Sequence, residues 1–185
     1  MVRIALEEEQ TQQLERNDIA SEDPSYHAIK VYNMIEDSLW EQLDQLGNAT
    51  NMGDVSKIAR EVRILLLRGD KVWNEIKNSI TIKASILRIK TTSFQYGGEL
   101  QKKAEQISSL LKISLNAQYL ISNGSLEEQE AASAYLEMPP NVRLGFIIQE
   151  IEKIILSATE LWGQKAAEIN FTMPINIKDT RDPFL

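Results

Sequence analysis

His27 is the single histidine of a 185-residue chain that contains no cysteine. Disulfides, thiolate metal sites, iron–sulfur ligation and cysteine nucleophiles are therefore excluded together. Zinc and di-iron centres draw on imidazole, and a Ser–His pair needs a base that titrates near neutrality, so most hydrolase and metalloenzyme arrangements would have to pass through this one residue. Di-iron bundles use Glu-x-x-His, whereas the residue three before His27 is Pro24. His27 reads instead as a surface histidine in the first turn of a helix, near Glu22 and Asp23.

Carboxylates offer no better start. Glu36 and Asp37 are adjacent, and Glu150 and Glu152 are two apart, so neither pair shares a helix face as an acid and base must. No Gly-x-x-x-x-Gly-Lys-Ser/Thr loop occurs, and Gly97-Gly98 lacks the third glycine and the preceding strand of a dinucleotide fingerprint. The sequence predicts no enzyme: no catalytic residue, no metal site, no cofactor and no small-molecule substrate.

Charge is more informative. The net charge is -7, but it is unevenly spread. Residues 1–53 carry a net -8, residues 54–103 a net +6 and residues 104–185 a net -5. Within the basic block, Arg60, Arg63, Lys83, Arg88 and Lys90 form a candidate anion or nucleic-acid patch, whose affinity would fall as salt rises. The opposing expectation is that the acidic flanks neutralise the block within one fold, leaving mixed surface charge that keeps the protein soluble.

The elements that would carry these residues are helical. After Asp23-Pro24, an N-cap followed by a first-turn proline, Ala28, Tyr32, Ile35, Leu39, Leu43 and Leu46 recur at spacings of three and four up to Gly47, which fits a left-handed terminus. A second helix is expected from Asp54, with Val55, Ile58, Val62, Leu65 and Leu66 on one side, stopping at Gly69. Asp70 would then cap a third, making Arg68-Gly69-Asp70 a tight antiparallel joint. Residues 71–92 are rich in β-branched side chains, yet Trp73, Ile76, Ile80, Ala84 and Leu87 hold helical spacing, so helix is predicted there too.

Residues 99–122 form the next helix, ended by Asn123-Gly124. Ser125-Leu-Glu-Glu128 matches a capping box opening a short helix to Glu137. The last helix, 141–169, carries a seam of Leu144, Ile148, Ile151, Ile155, Ala158, Trp162, Ala166 and Ile169, with a second ridge of Ile147, Ile154 and Leu161 beside it. Gly145 and Gly163 suggest close backbone approaches. From residue 170 the period changes, which predicts an extended tail to Leu185.

The expectation is an all-α, single-domain bundle of five or six helices: an acidic segment over 1–22, a bundle over 23–169 and an extended tail over 170–185. The longest apolar runs, such as Ile64–Leu67, have four residues against the roughly 20 of a membrane span, and three acids within the first nine residues do not suit a signal peptide, so a soluble cytoplasmic protein is predicted. Its function is expected to be that of an interaction module, adaptor or small subunit, with a protein partner or its own copies as ligand. The expected partner face is the spare ridge Ile147, Ile154 and Leu161 with Phe171 and Phe184 of the tail. Nucleic-acid binding through the basic patch is the alternative, and a pocket between Trp40, Trp73 and Trp162 a weaker third.

Overall fold

The computed structural model describes residues 24–87 and 98–172, with side chains over 26–79 and 98–169. Among them are five helices: α1 (Pro24–Gly47), α2 (Met52–Leu87), α3 (Glu99–Asn123), α4 (Leu126–Glu137) and α5 (Pro140–Thr172). The chain is an all-α bundle in which α1 packs on α2, α2 on α3 and α3 on α4, while α5 returns across α1, α2 and α3.

Local chemistry sets most of the boundaries. Proline opens α1 and α5, where its missing N–H has no helical partner to lose. Asn51, rather than Asp54, caps α2. Its Oδ1 accepts the Asp54 N–H at 2.9 Å and its Nδ2 donates to the Asp54 carboxylate at 3.0 Å, so α2 begins two residues earlier than expected. The capping box at Ser125 forms as its spacing predicts: the Glu128 N–H donates to Ser125 Oγ at 3.2 Å, and the Ser125 N–H donates to Glu128 Oε1 at 3.0 Å. Gly47 ends α1 without entering the left-handed region; among the described residues Gly98, at φ 104°, is the glycine with positive φ.

The expected joint at Gly69-Asp70 does not exist. α2 runs through it as one helix of 36 residues, about 54 Å long. A helix interior tolerates glycine at about 1 kcal/mol, and here tertiary packing offsets that cost: a β-carbon at residue 69 would stand 2.6 and 2.8 Å from two atoms of the Trp162 ring. Asp70 caps nothing of its own helix. Its Oδ1 accepts the Gly98 N–H at 2.8 Å, fastening the start of α3 to the middle of α2.

Close approach was expected at Gly145 and Gly163 instead, yet a β-carbon at either would meet nothing within 4 Å. The last helix also outlasts its apolar seam, ending at Thr172, so Phe171 belongs to α5 and not to an extended tail. Residues 1–23, 88–97 and 173–185, including Phe184, lie outside the described residues.

The core is the shared interior of α1, α2, α3 and α5. Tyr32, Leu39, Leu46, Leu66, Trp73, Ile76, Leu100, Ile107, Ile151, Ile155 and Trp162 are all fully enclosed. Each large apolar side chain removed from water in this way contributes about 1.5–3 kcal/mol before the entropy of ordering is subtracted.

Candidate functional site

The outer side of α2 is the first candidate. Val55, Val62, Leu66, Gly69 and Trp73 mark the buried side of this helix. On the opposite side, residues 57, 60, 64, 67, 68 and 71 recur at three- and four-residue steps and are all exposed. They are Lys57, Arg60, Ile64, Leu67, Arg68 and Lys71, with Arg63 at one edge and Glu61 at the other. Ile64 and Leu67 keep 48% and 37% of their surface in the solvent, one turn apart amid the cations. Among the described residues none of these five cations enters an ion pair. The described parts of the acidic flanks therefore form no ion pair with this part of the basic block.

Of the five residues expected to form an anion patch, Arg60 and Arg63 stand exposed on this side of α2. Lys83 falls within α2, but its side chain lies outside the described residues, as do Arg88 and Lys90 altogether. The patch is thus brought together only in its first two members.

The expected partner ridge on the last helix is not free. Ile147 and Ile154 are 1% and 9% exposed, and Leu161 is half-buried against the core. The physical reason is that α5 packs across α1, α2 and α3, which cover Ile147 and Ile154 inside the bundle. The tryptophans do not meet as a trio either: Trp40 is 45% exposed, whereas Trp73 and Trp162 are fully enclosed.

Around those two indoles lies a second candidate. Tyr32 of α1 stacks on Trp162 with ring centroids 3.7 Å apart and 16° between planes, and lies 5.8 Å from Trp73. Beside them, Lys165 of α5 is buried, with 1% of its surface exposed. Its Nζ sits 4.5 Å over the Trp73 ring and 3.7 Å from Glu99 Oε2 on the first turn of α3. Neither that nitrogen nor that oxygen makes a hydrogen bond, and the Tyr32 hydroxyl and Trp162 Nε1 are unsatisfied as well.

Burial pulls the Lys165 ammonium below the ordinary lysine range, against the opposing pull of Glu99, Glu168 and Asp70. Burial, reinforced by Glu36, Asp70, Glu99 and Glu168, pushes the Tyr32 phenol up, so it stays neutral. The cluster is a polar centre closed by four helices. Through Glu99 it sets the first turn of α3 beside Lys165 of α5.

Among the described residues, two grooves open between the helices. One, of about 450 Å³ between α3 and α5, is lined by Glu99, Lys102, Lys103, Gln106, Ser157, Glu160, Leu161 and Gln164, with Lys103 Nζ donating to Ser157 Oγ at 2.6 Å. The other, of about 400 Å³, lies where α3 kinks at Asn116 (φ -131°, ψ 26°), beside exposed Leu115 and Tyr119. Its wall includes Arg143, whose guanidinium donates to the carbonyls of Leu136 at 2.7 Å, Met138 at 3.0 Å and Tyr135 at 3.2 Å. A cation thus closes the C-terminal end of α4. Among the described residues, no three His, Asp or Glu side chains gather as a metal-holding group, and no helix is long and apolar enough to cross a membrane.

No family model, curated protein or solved structure matches this chain.

Proposed function

We propose that the protein is a non-enzymatic α-helical interaction module, an adaptor or small subunit of a larger cytoplasmic assembly, that docks its partner on the outer side of α2. One observation supports this reading above the rest: an aliphatic pair, Ile64 and Leu67, stands exposed within a strip of cations that make no ion pair among the described residues. Exposed aliphatic surface is unremarkable when scattered, but a pair one turn apart and ringed by charge has the layout of an apolar centre with a polar rim.

Nucleic-acid binding is the second reading, favoured by the exposure of Arg60 and Arg63 on this same side. The outer strip carries no aromatic ring on which a base would stack, and its centre is aliphatic.

The test is the size of the native assembly. In extracts of its own cells the parent chain is expected to elute with a larger complex, and Ile64→Ser/Leu67→Ser as a free protein with an unchanged melting temperature. A double variant that stays in the complex refutes docking through α2.

A further inference from the structure

Positions 57, 60, 64, 67, 71, 74 and 78 of α2 follow strict alternation of three- and four-residue steps, the spacing of a coiled-coil seam. Read along it, the seam is Lys57, Arg60, Ile64, Leu67, Lys71, Asn74 and Asn78: two aliphatic layers at the centre, cations on both sides and amides at one end. Arg63 and Arg68 stand beside the aliphatic layers, and Glu61 and Glu75 lie along one border.

The identity of the side chains restricts what can cover this seam. A second copy laid antiparallel about the Ile64–Leu67 centre would set Arg60 against Lys71 twice. A parallel copy would set Lys57, Arg60 and Lys71 each against itself. Both arrangements bring like charges together in a seam that loses its water, which opposes self-pairing. A phosphate backbone would satisfy the cations and leave Ile64 and Leu67 without apolar cover. A helix with aliphatic residues at its own central seam positions and carboxylates above and below them satisfies both requirements at once.

Resting on the reading of α2 as a docking surface, we infer that its partner is an acidic amphipathic helix of another protein, paired along the seam from Lys57 to Lys71. Charge selects the partner and sets its register; the aliphatic pair supplies the contact that survives salt.

The experiment uses the full chain and labelled synthetic helical peptides about three heptads long, with leucine at the two central seam positions and either glutamate or lysine at the seam positions above and below them, read by fluorescence anisotropy. Single- and double-stranded DNA and RNA of similar length serve as competing probes. The acidic peptide is expected to bind and to weaken at least about tenfold between low and high salt. Lys57→Glu/Arg60→Glu/Lys71→Glu should transfer the preference to the basic peptide, and Ile64→Ser/Leu67→Ser should remove the binding that remains at high salt.

Failure of the acidic peptide to bind, equal binding of the basic one, or tighter binding of nucleic acid would each overturn the inference. Release of the Ile64→Ser/Leu67→Ser variant from the native assembly, combined with any of those results, would leave the docking surface standing and exclude the acidic partner alone.

Discussion

The ring of Trp162 occupies the space that a side chain at Gly69 would need. An ideal β-carbon there falls 2.6 Å from Trp162 Cη2, 2.8 Å from Cζ3 and 3.3 Å from Leu100 Cδ1. This glycine belongs to the contact between α2 and α5, in the middle of a helix it was expected to end.

Gly69→Ala should therefore destabilise the fold by about 1–2 kcal/mol, because overpacking of the indole outweighs the helix propensity gained. Gly145→Ala and Gly163→Ala, which meet no neighbour within 4 Å, should stabilise it by about 0.5–1 kcal/mol. Urea melts of the three variants decide the matter, since a stabilising Gly69→Ala would contradict the packing described.

Lys165 presents the converse case, a long cation enclosed without a hydrogen bond. Lys165→Met combined with Glu99→Gln keeps length and packing and removes both members of the enclosed pair, so this methionine variant should match or exceed the parent in stability at neutral pH, by up to about 4 kcal/mol. The sign with pH follows from the lowered pKa. Between the folded value and the ordinary 10.5, the unfolded chain binds more protons, so the contribution of Lys165 to stability improves as pH rises through that window. The advantage of the methionine variant should shrink as pH approaches 10.5; an advantage that grows would show the ammonium to be stabilising.

Glu128 titrates in the opposite sense. Its carboxylate lies 2.6 Å from Lys112 Nζ and accepts the Ser125 N–H, and these partners hold its pKa down to about 2 against an ordinary 4.5. The stability it supplies is complete above pH 4.5 and is lost as pH falls through about 2. Glu128→Gln should flatten the acid limb of the parent's stability curve over that range, as measured by thermal melts at stepped pH. Ser125→Ala should cost about 1 kcal/mol at neutral pH.

Ile154→Glu should cost at least about 3 kcal/mol without changing the molecular mass in light scattering, because it places an unpaired charge in the core. A folded variant that only changes its assembly would return the α5 ridge to the surface.

Arg143→Met should loosen α4 in particular. The three carbonyls that its guanidinium holds would be left to water, at a cost of about 1.5–3 kcal/mol. Hydrogen exchange should quicken over residues 126–137 first, and uniform quickening across the chain would exclude this local role.

The helical class was legible because its signals are local. Apolar spacing, Pro24, Gly47, Asn123-Gly124 and the Ser125–Glu128 box each act within one or two turns, and each marks a boundary in the fold. The errors arose where a distant partner decides. Gly69 resembles a terminus until Trp162, far along the chain, is placed against it, and Asp70 resembles a cap until the Gly98 amide is seen to use it. For the same reason the ridge of Ile147 and Ile154 looked spare: period reveals how wide an apolar face is, but the number of neighbours covering it is a property of topology. In the basic block, composition showed the charge of Arg60 and Arg63, and only the helix faces showed that aliphatic side chains share their surface. Lys165 was marked by position alone: it lies seven residues after Ala158 and three after Trp162, on the apolar side of the last helix, where a solvated lysine would not stand.

The stack of Tyr32 on Trp162 joins the first described helix to the last. During synthesis on the ribosome, α1 through α4 can pair with their sequence neighbours as they emerge, but the aromatic centre stays open until residue 162 has left the exit tunnel. The ring of Tyr32 consequently stays without its stacking partner until α5 arrives, and a change in indole fluorescence should report the moment at which the centre closes.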